Sequence, residues 1–303
     1  MPHTGAAYAP AQKDACVATT ATDASARSES STGKSGPAPA GVAAAGAGSV
    51  TVGAMLVGLV GTASRLSGRV LPFVRERGVV SVLTSCVLWV GQWLLGRPRA
   101  GRPTTRTFAY DGRRVPYVHE RYNYTWLNER AVELALAREQ LAAHGDGRVL
   151  EVGHVLGHYQ PVTHLVVDKY EQADRVVNAD VADLELDERF DLVLAVSTLE
   201  HVGLDEDVQD PTKPGRALRT LTSLLAPGGT LWLTVPVGYN PALEAELRDG
   251  EHPVVSLRAL RRDRWRNTWR ELPVDEVWDA TYDRLVYTAH GLVVAELRRP
   301  GAR

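Results

Sequence analysis

Lysine is nearly absent from this chain. Lys13, Lys34, Lys169 and Lys213 are the only four among 34 basic residues, so almost all positive charge is arginine. With the abundant alanine and glycine, that bias points to a GC-rich bacterial genome. Cysteine is scarcer still: Cys16 and Cys86 stand alone, both before residue 105. This excludes a disulfide framework or a cysteine-built zinc site in the C-terminal two thirds, and it suits a reducing cytoplasm. Net charge is small as well, −2 over 303 residues, so the chain lacks the basic balance of a typical nucleic-acid binder. What remains is 44% hydrophobic residues and seven tryptophans, enough for a sizeable core.

The composition changes along the chain. Residues 1–50 are dominated by Ala, Ser, Thr, Gly and Pro and have too little large apolar surface to offset ordering entropy, which predicts a disordered tail. Residues 51–104 read as an apolar and basic helical region. Within it, residues 78–96 (GVVSVLTSCVLWVGQWLLG) would make a helix about 28 Å long. That nearly matches the hydrocarbon core of a bilayer, about 30 Å. Arginines flank the segment on both sides, so they give no clear orientation. Three placements stay open: a helix packed on its own domain or a partner subunit, peripheral membrane contact, or a true span. Residues 105–303 form the third region and carry the motifs.

Helical spacing runs from Trp126 through Leu141, and Gly145 with Gly147 ends it. After that, RVLEVG, THLVVD, DRVVNAD, FDLVLAVS and GTLWLTVP are short Val- and Leu-rich runs, as expected of strands buried on both faces. RALRTLTSLL lies between the last two as a helix, and GLVVAELRR can add a final strand. The alternation predicts an α/β fold with a mainly parallel sheet and helices on its faces. The arginine-rich stretch 258–270 (RALRRDRWRNTWR) reads mainly as a solvated helix face with inward tryptophans. If it binds anything, the ligand is anionic.

Three motifs occur in order: Glu151-Val152-Gly153 with Gly157 after a strand, FDLVLAVSTLEHV at 190–202, and LLAPGGTLWLTVP at 224–236. Together they resemble a class I S-adenosylmethionine-dependent methyltransferase. The resemblance implies a Rossmann-like, seven-stranded sheet with helices on both faces, with S-adenosyl-L-methionine as cofactor. Carried onto this sequence, it implies that Glu151, Gly153 and the backbone to Gly157 line the methionine end of the cofactor. Asp168 would hold the ribose, Asp180 and Val181 the adenine edge, and Ser197 and Leu199 would face the cofactor and the start of the substrate pocket. Two departures stand out. Val155 occupies the usual central glycine, and only about ten residues, interrupted by Pro161, separate Gly153 from the next strand. A parallel crossover normally needs a dozen or more, so the first helix should shrink to about a turn. EVGHVLGHYQPV, VVDKYE and the upstream YNYTWLNERAVE resemble a bacterial subgroup with this shortened loop.

His201, just past the fourth strand, is the candidate general base, since imidazole titrates in the useful range. It competes with a purely structural role at the start of a helix. His154, His158 and His119 are lesser candidates, and no metal site is expected. The implied acceptor is a small molecule, anionic or glycosidic, such as a sugar hydroxyl or a secondary metabolite; nucleic acid is not favoured. An NAD-dependent oxidoreductase and a non-catalytic binding module with a methyltransferase-like sheet are the competing readings. The expected location is cytoplasmic, with membrane association through residues 78–96 left open.

Overall fold

Apolar residues alternate sides along the central strands, and that alternation decides which helices each face of the sheet receives. The computed structural model describes residues 70–249 and 252–299. The tail expected at 1–50 lies outside these, as do residues 51–69 of the region expected to be helical. Residues 73–303 form one compact unit. Its elements in chain order begin with α1 (Val79–Gly96), the hairpin β1 (Thr107–Tyr110) and β2 (Arg113–Pro116), α2 (Arg130–His144), β3 (Val149–Val152), β4 (Leu165–Val167), β5 (Val176–Val177) and β6 (Phe190–Val196). Then come α3 (Lys213–Ser223), β7 (Leu225–Pro236), α4 (Pro241–Arg248), β8 (Val254–Asp263), β9 (Thr268–Leu272), the short strands β10 (Tyr282–Asp283) and β11 (Thr288–Ala289), and β12 (Gly291–Arg298).

The main sheet runs β5-β4-β3-β6-β7-β12-β8-β9. Pairings from β5 to β7 are parallel, and those of β12 with β7 and β8, and of β8 with β9, are antiparallel. Val193 and Ala195 face one core with Leu218 and Leu221 of α3 and Leu243 and Leu247 of α4. Leu192, Leu194 and Val196 face the other with Val132, Leu134 and Leu136 of α2. The sheet therefore carries helices on both faces, as a Rossmann-like fold requires.

Two details differ from the sequence reading. The sheet has eight strands among the described residues rather than seven. The extra strand comes from the stretch read as a helix face, which instead turns back as the β8–β9 hairpin. Asn267, in a left-handed conformation (φ 46°), helps make that turn. The two tryptophans therefore do not share a face: Trp269 is buried on β9, whereas Trp265 is 64% exposed at the hairpin tip. The shortened crossover, by contrast, is as expected. Between β3 and β4 there is only one 3₁₀ turn, Leu156–His158.

Candidate active site

Ligands of open parallel sheets lie beyond the carboxyl ends of the strands, and the sequence-derived candidates gather at that edge. A cleft of about 540 Å³ opens at the opposite edge, between Arg148, Pro161, Leu165 and Glu188. Of its lining, only His164 enters the arrangement described below, through its bond to Glu151.

The loop after β3 is organised by Glu151. Its fully buried carboxylate accepts from the backbone N–H groups of Val155 (3.0 Å) and Leu156 (2.7 Å) and pairs with His164 Nε2 (2.8 Å). These bonds replace part of what a first helix would supply, and they commit Glu151 to the loop rather than to an open ligand surface. Gly153 has φ 82°, and a Cβ there would collide with Thr198, so glycine lets this loop approach the one after β6. Gly157 leaves room for the ring of His154.

Asp168 ends β4. Its Oδ1 accepts from the N–H groups of Tyr170 (2.8 Å) and Glu171 (2.7 Å), and its Oδ2 from that of His154 (3.1 Å). A carboxylate offers about four acceptor positions, so one remains for a ribose hydroxyl. Asp180 is bonded by Lys169 Nζ (2.7 Å), Lys213 Nζ (2.6 Å) and the Ala182 N–H (3.1 Å). Burial alone would raise its carboxyl, but these donors hold it down at about 2. Glu206 shares both lysines. Two of the chain's four lysines thus meet two carboxylates at this edge. Val181 and Leu199 are buried in the α3-side core, so their side chains pack rather than line an opening.

The groups beyond β6 form a second cluster, buried at Glu133, Ser197, Glu200 and Thr234 and open to solvent at His201 and Asp205. Ser197 (φ 40°) donates its hydroxyl to Glu133 Oε1, and Thr234 Oγ1 bonds the same oxygen at 2.9 Å. Arg130 Nη1 donates to Glu133 Oε2 and to the carbonyl of Val196, both at 3.0 Å. A buried cation therefore caps the end of the central strand. His201 Nδ1 lies 2.6 Å from Asp205 Oδ2, and the Tyr239 hydroxyl donates to that same oxygen at 2.5 Å. Burial would lower the His201 imidazole, but the bond to Asp205 outweighs it and the pKa rises above 6.5. Asp205 moves down: burial opposes ionisation, and the His201 and Tyr239 bonds prevail. His201 Nε2 faces Glu200 Oε1 at 3.7 Å. Burial pushes the Glu200 carboxyl up to about 7, and its Oε2 has no hydrogen-bond partner.

One group among the described residues has donors that could hold a metal ion. His154 and His158 are four apart in sequence, and with Glu171 they bring three ligand atoms within 4.8 Å of one another. His154 Nδ1 lies 2.9 Å from Glu171 Oε1, and His158 Nε2 3.2 Å from Oε2. Two imidazoles and a carboxylate are a zinc-type ligand set. Without an ion, the carboxylate bridges both rings and ties the loop after β3 to the loop after β4.

Sequence reasoning missed Arg130, Glu133, Glu200, Asp205, Tyr239 and Lys213. Glu200 and Asp205 flank His201 at one and four residues and could have been found by asking what orients that imidazole. Arg130 and Glu133 lie inside the NERAVE string, but nothing local reveals that they reach β6.

Residues 158–233 match the family model described as a methyltransferase domain. No curated protein matches the chain. Among solved structures, it is similar to the N-methyltransferase NodS from Bradyrhizobium japonicum WM9 in complex with S-adenosyl-L-homocysteine. That match has 16% identity and a TM-score of 0.37, and it covers 57% of this chain and 87% of that one. A possible histamine N-methyltransferase from Thermotoga maritima is similar at 16% identity, TM-score 0.34, covering 55% and 89%. The glycopeptide N-methyltransferase MtfA, complexed with S-adenosyl-L-homocysteine, is similar at 17% identity, TM-score 0.30, covering 55% and 89%. The motifs, the sheet and the family match together define a class I S-adenosylmethionine-dependent methyltransferase domain. A domain of that class is an enzyme with S-adenosyl-L-methionine as its cofactor.

Proposed function

We propose that the enzyme methylates a hydroxyl of a small-molecule acceptor, such as a glycosidic group or a secondary metabolite, with His201 as general base. The observation carrying this reading is the His201–Asp205 bond at the carboxyl edge of the sheet. With its Nδ1–H donated to Asp205, the imidazole keeps Nε2 as acceptor, the tautomer that a base needs. Bound cofactor supplies an electrophilic methyl group on a cationic sulfonium.

The residues at the carboxyl edge fit such a group. Asp168 retains acceptor capacity for a ribose at the end of β4, beside the loop after β3 whose His154 N–H it holds. Asp168 and the backbone at Gly153 would hold it, with Lys169 and Tyr170 beside the adenine.

A hydroxyl must lose its proton as it is methylated, and His201 Nε2 is the acceptor for that proton. The bond to Asp205 stabilises the imidazolium that results. Glu200 gives the proton a second resting place, because its carboxyl ionises at about 7. Tyr239 fixes Asp205 from the other side, so the ring does not need to be oriented during the reaction.

The test is a panel of hydroxyl, amine and carbon acceptors assayed with radiolabelled S-adenosylmethionine. Transfer to hydroxyls, reduced about a hundredfold in His201→Ala, supports the reading. Transfer confined to carbon acceptors, or unaffected by the substitution, would overturn it.

A further inference from the structure

The α1 sequence, VVSVLTSCVLWVGQWLLG, contains no charged residue, yet only one of its side chains, Val82, is buried. The helix is split lengthwise by what touches it. At 100° per residue, Val82, Ser85, Trp89, Gln92, Trp93 and Gly96 fall on one side. That side is docked. Ser85 Oγ donates to Asp283 (3.3 Å), and Gln92 Nε2 donates to the carbonyls of Arg264 (2.7 Å) and Trp265 (3.0 Å). Trp89 and Trp93 pack on Trp126 and Leu127, and a Cβ at Gly96 would strike the Trp126 ring. The other side presents Val80, Leu83, Val87, Val90 and Leu94, spaced three or four apart, with Val79 and Leu95 at its margins. All seven are exposed, from 48% at Val90 to 78% at Val80.

A continuous apolar stripe of this size is rare on a surface that meets only water. Its surroundings indicate what covers it. Arg97, Arg99 and Arg102 follow the helix and are exposed. The β8–β9 tip, held against α1 by Gln92, adds exposed Arg264, Trp265 and Arg266. An apolar helical face bordered by arginines and an exposed tryptophan is the pattern of a helix lying at the boundary between anionic headgroups and acyl chains. The docking contacts run from Val82 to Gly96, nearly the whole helix. Crossing a bilayer would break all of them and carry Gln92 and Ser85 into hydrocarbon without partners.

We propose that the exposed face of α1, with the Arg264–Arg266 tip, is a docking surface for an anionic lipid membrane, on which the enzyme lies peripherally. The apolar stripe enters the acyl boundary, and the arginines pair with lipid phosphates. The inference does not depend on which acceptor is methylated.

Sedimentation of the full chain with vesicles tests it, comparing phosphatidylcholine alone with phosphatidylcholine containing phosphatidylglycerol. Size-exclusion chromatography with light scattering is run in parallel. Binding should require the anionic lipid, weaken at high salt, and fall at least about tenfold in the Leu83→Glu/Val87→Glu double variant. Both positions face away from the domain, so melting temperature should be unchanged. Arg264→Glu/Arg266→Glu should reduce binding with the stripe intact. The proposal is overturned by no binding to anionic vesicles, by binding that the double variant leaves unchanged, or by a dimer lost in that variant, which would mean a second copy covers the face. Extraction from cell membranes only by detergent would also overturn it, in favour of a span.

Discussion

His201 Nδ1 and Asp205 Oδ2 stand 2.6 Å apart, one helical turn from each other in sequence, at the carboxyl edge of the sheet. The pairing raises the imidazole above its ordinary value of 6.5. Since the folded-state pKa is raised, the bond's contribution to stability is complete below 6.5 and is lost as pH climbs through the folded value. An NMR titration of the His201 ring should therefore give a midpoint above 6.5. Asp205→Asn should move that midpoint down. A midpoint unmoved by the substitution would mean that the carboxylate does not act on the ring. No acceptor is needed for this measurement.

Glu200 yields a pH dependence of the same sign, over a lower pH range. Its buried carboxyl is raised from 4.5 to about 7, so the folded state holds a proton that the unfolded chain has released. Its contribution is largest below about 4.5 and disappears as pH rises to about 7, amounting to roughly 3–4 kcal/mol at about 1.4 kcal/mol per pKa unit. Glu200→Gln cannot ionise, so its loss of stability between pH 5 and 8 in urea titrations should be smaller than that of the wild type. Parallel stability curves would show that the carboxylate is solvated after all.

Glu151 should behave as a structural residue. Removing it leaves the Val155 and Leu156 N–H groups and His164 without their partner. Glu151→Ala should cost about 2–4 kcal/mol of unfolding free energy. Urea denaturation reads this directly. A cost below about 0.5 kcal/mol would mean that water replaces the carboxylate.

Much of the fold could be read in the sequence because its strands are buried on both faces. Val149–Val152 and Phe190–Val196 admit few other structures, and the ten-residue gap after Gly153 left no room for a full helix. The β8–β9 hairpin was misread because arginines with tryptophans four apart also fit a helix. The turn at Asn267 was the discriminating signal. The β1–β2 hairpin likewise announces itself with Asp111-Gly112, both at positive φ. The candidate site was only partly legible. Asp168, Asp180 and His201 do reach the same sheet edge. Their partners Lys213, Asp205 and Tyr239, however, are set by tertiary folding, and Leu199 turned inward because its apolar side chain gains more from the core.

Calorimetry of the full chain with S-adenosylmethionine tests the cofactor site at this edge most directly. The expected result is one-to-one binding in preference to NAD. Asp168→Asn, which preserves shape and one carbonyl acceptor, should weaken it about tenfold or more. Failure to bind S-adenosylmethionine, or equal affinity in the Asp168 variant, would contradict the assignment of the site.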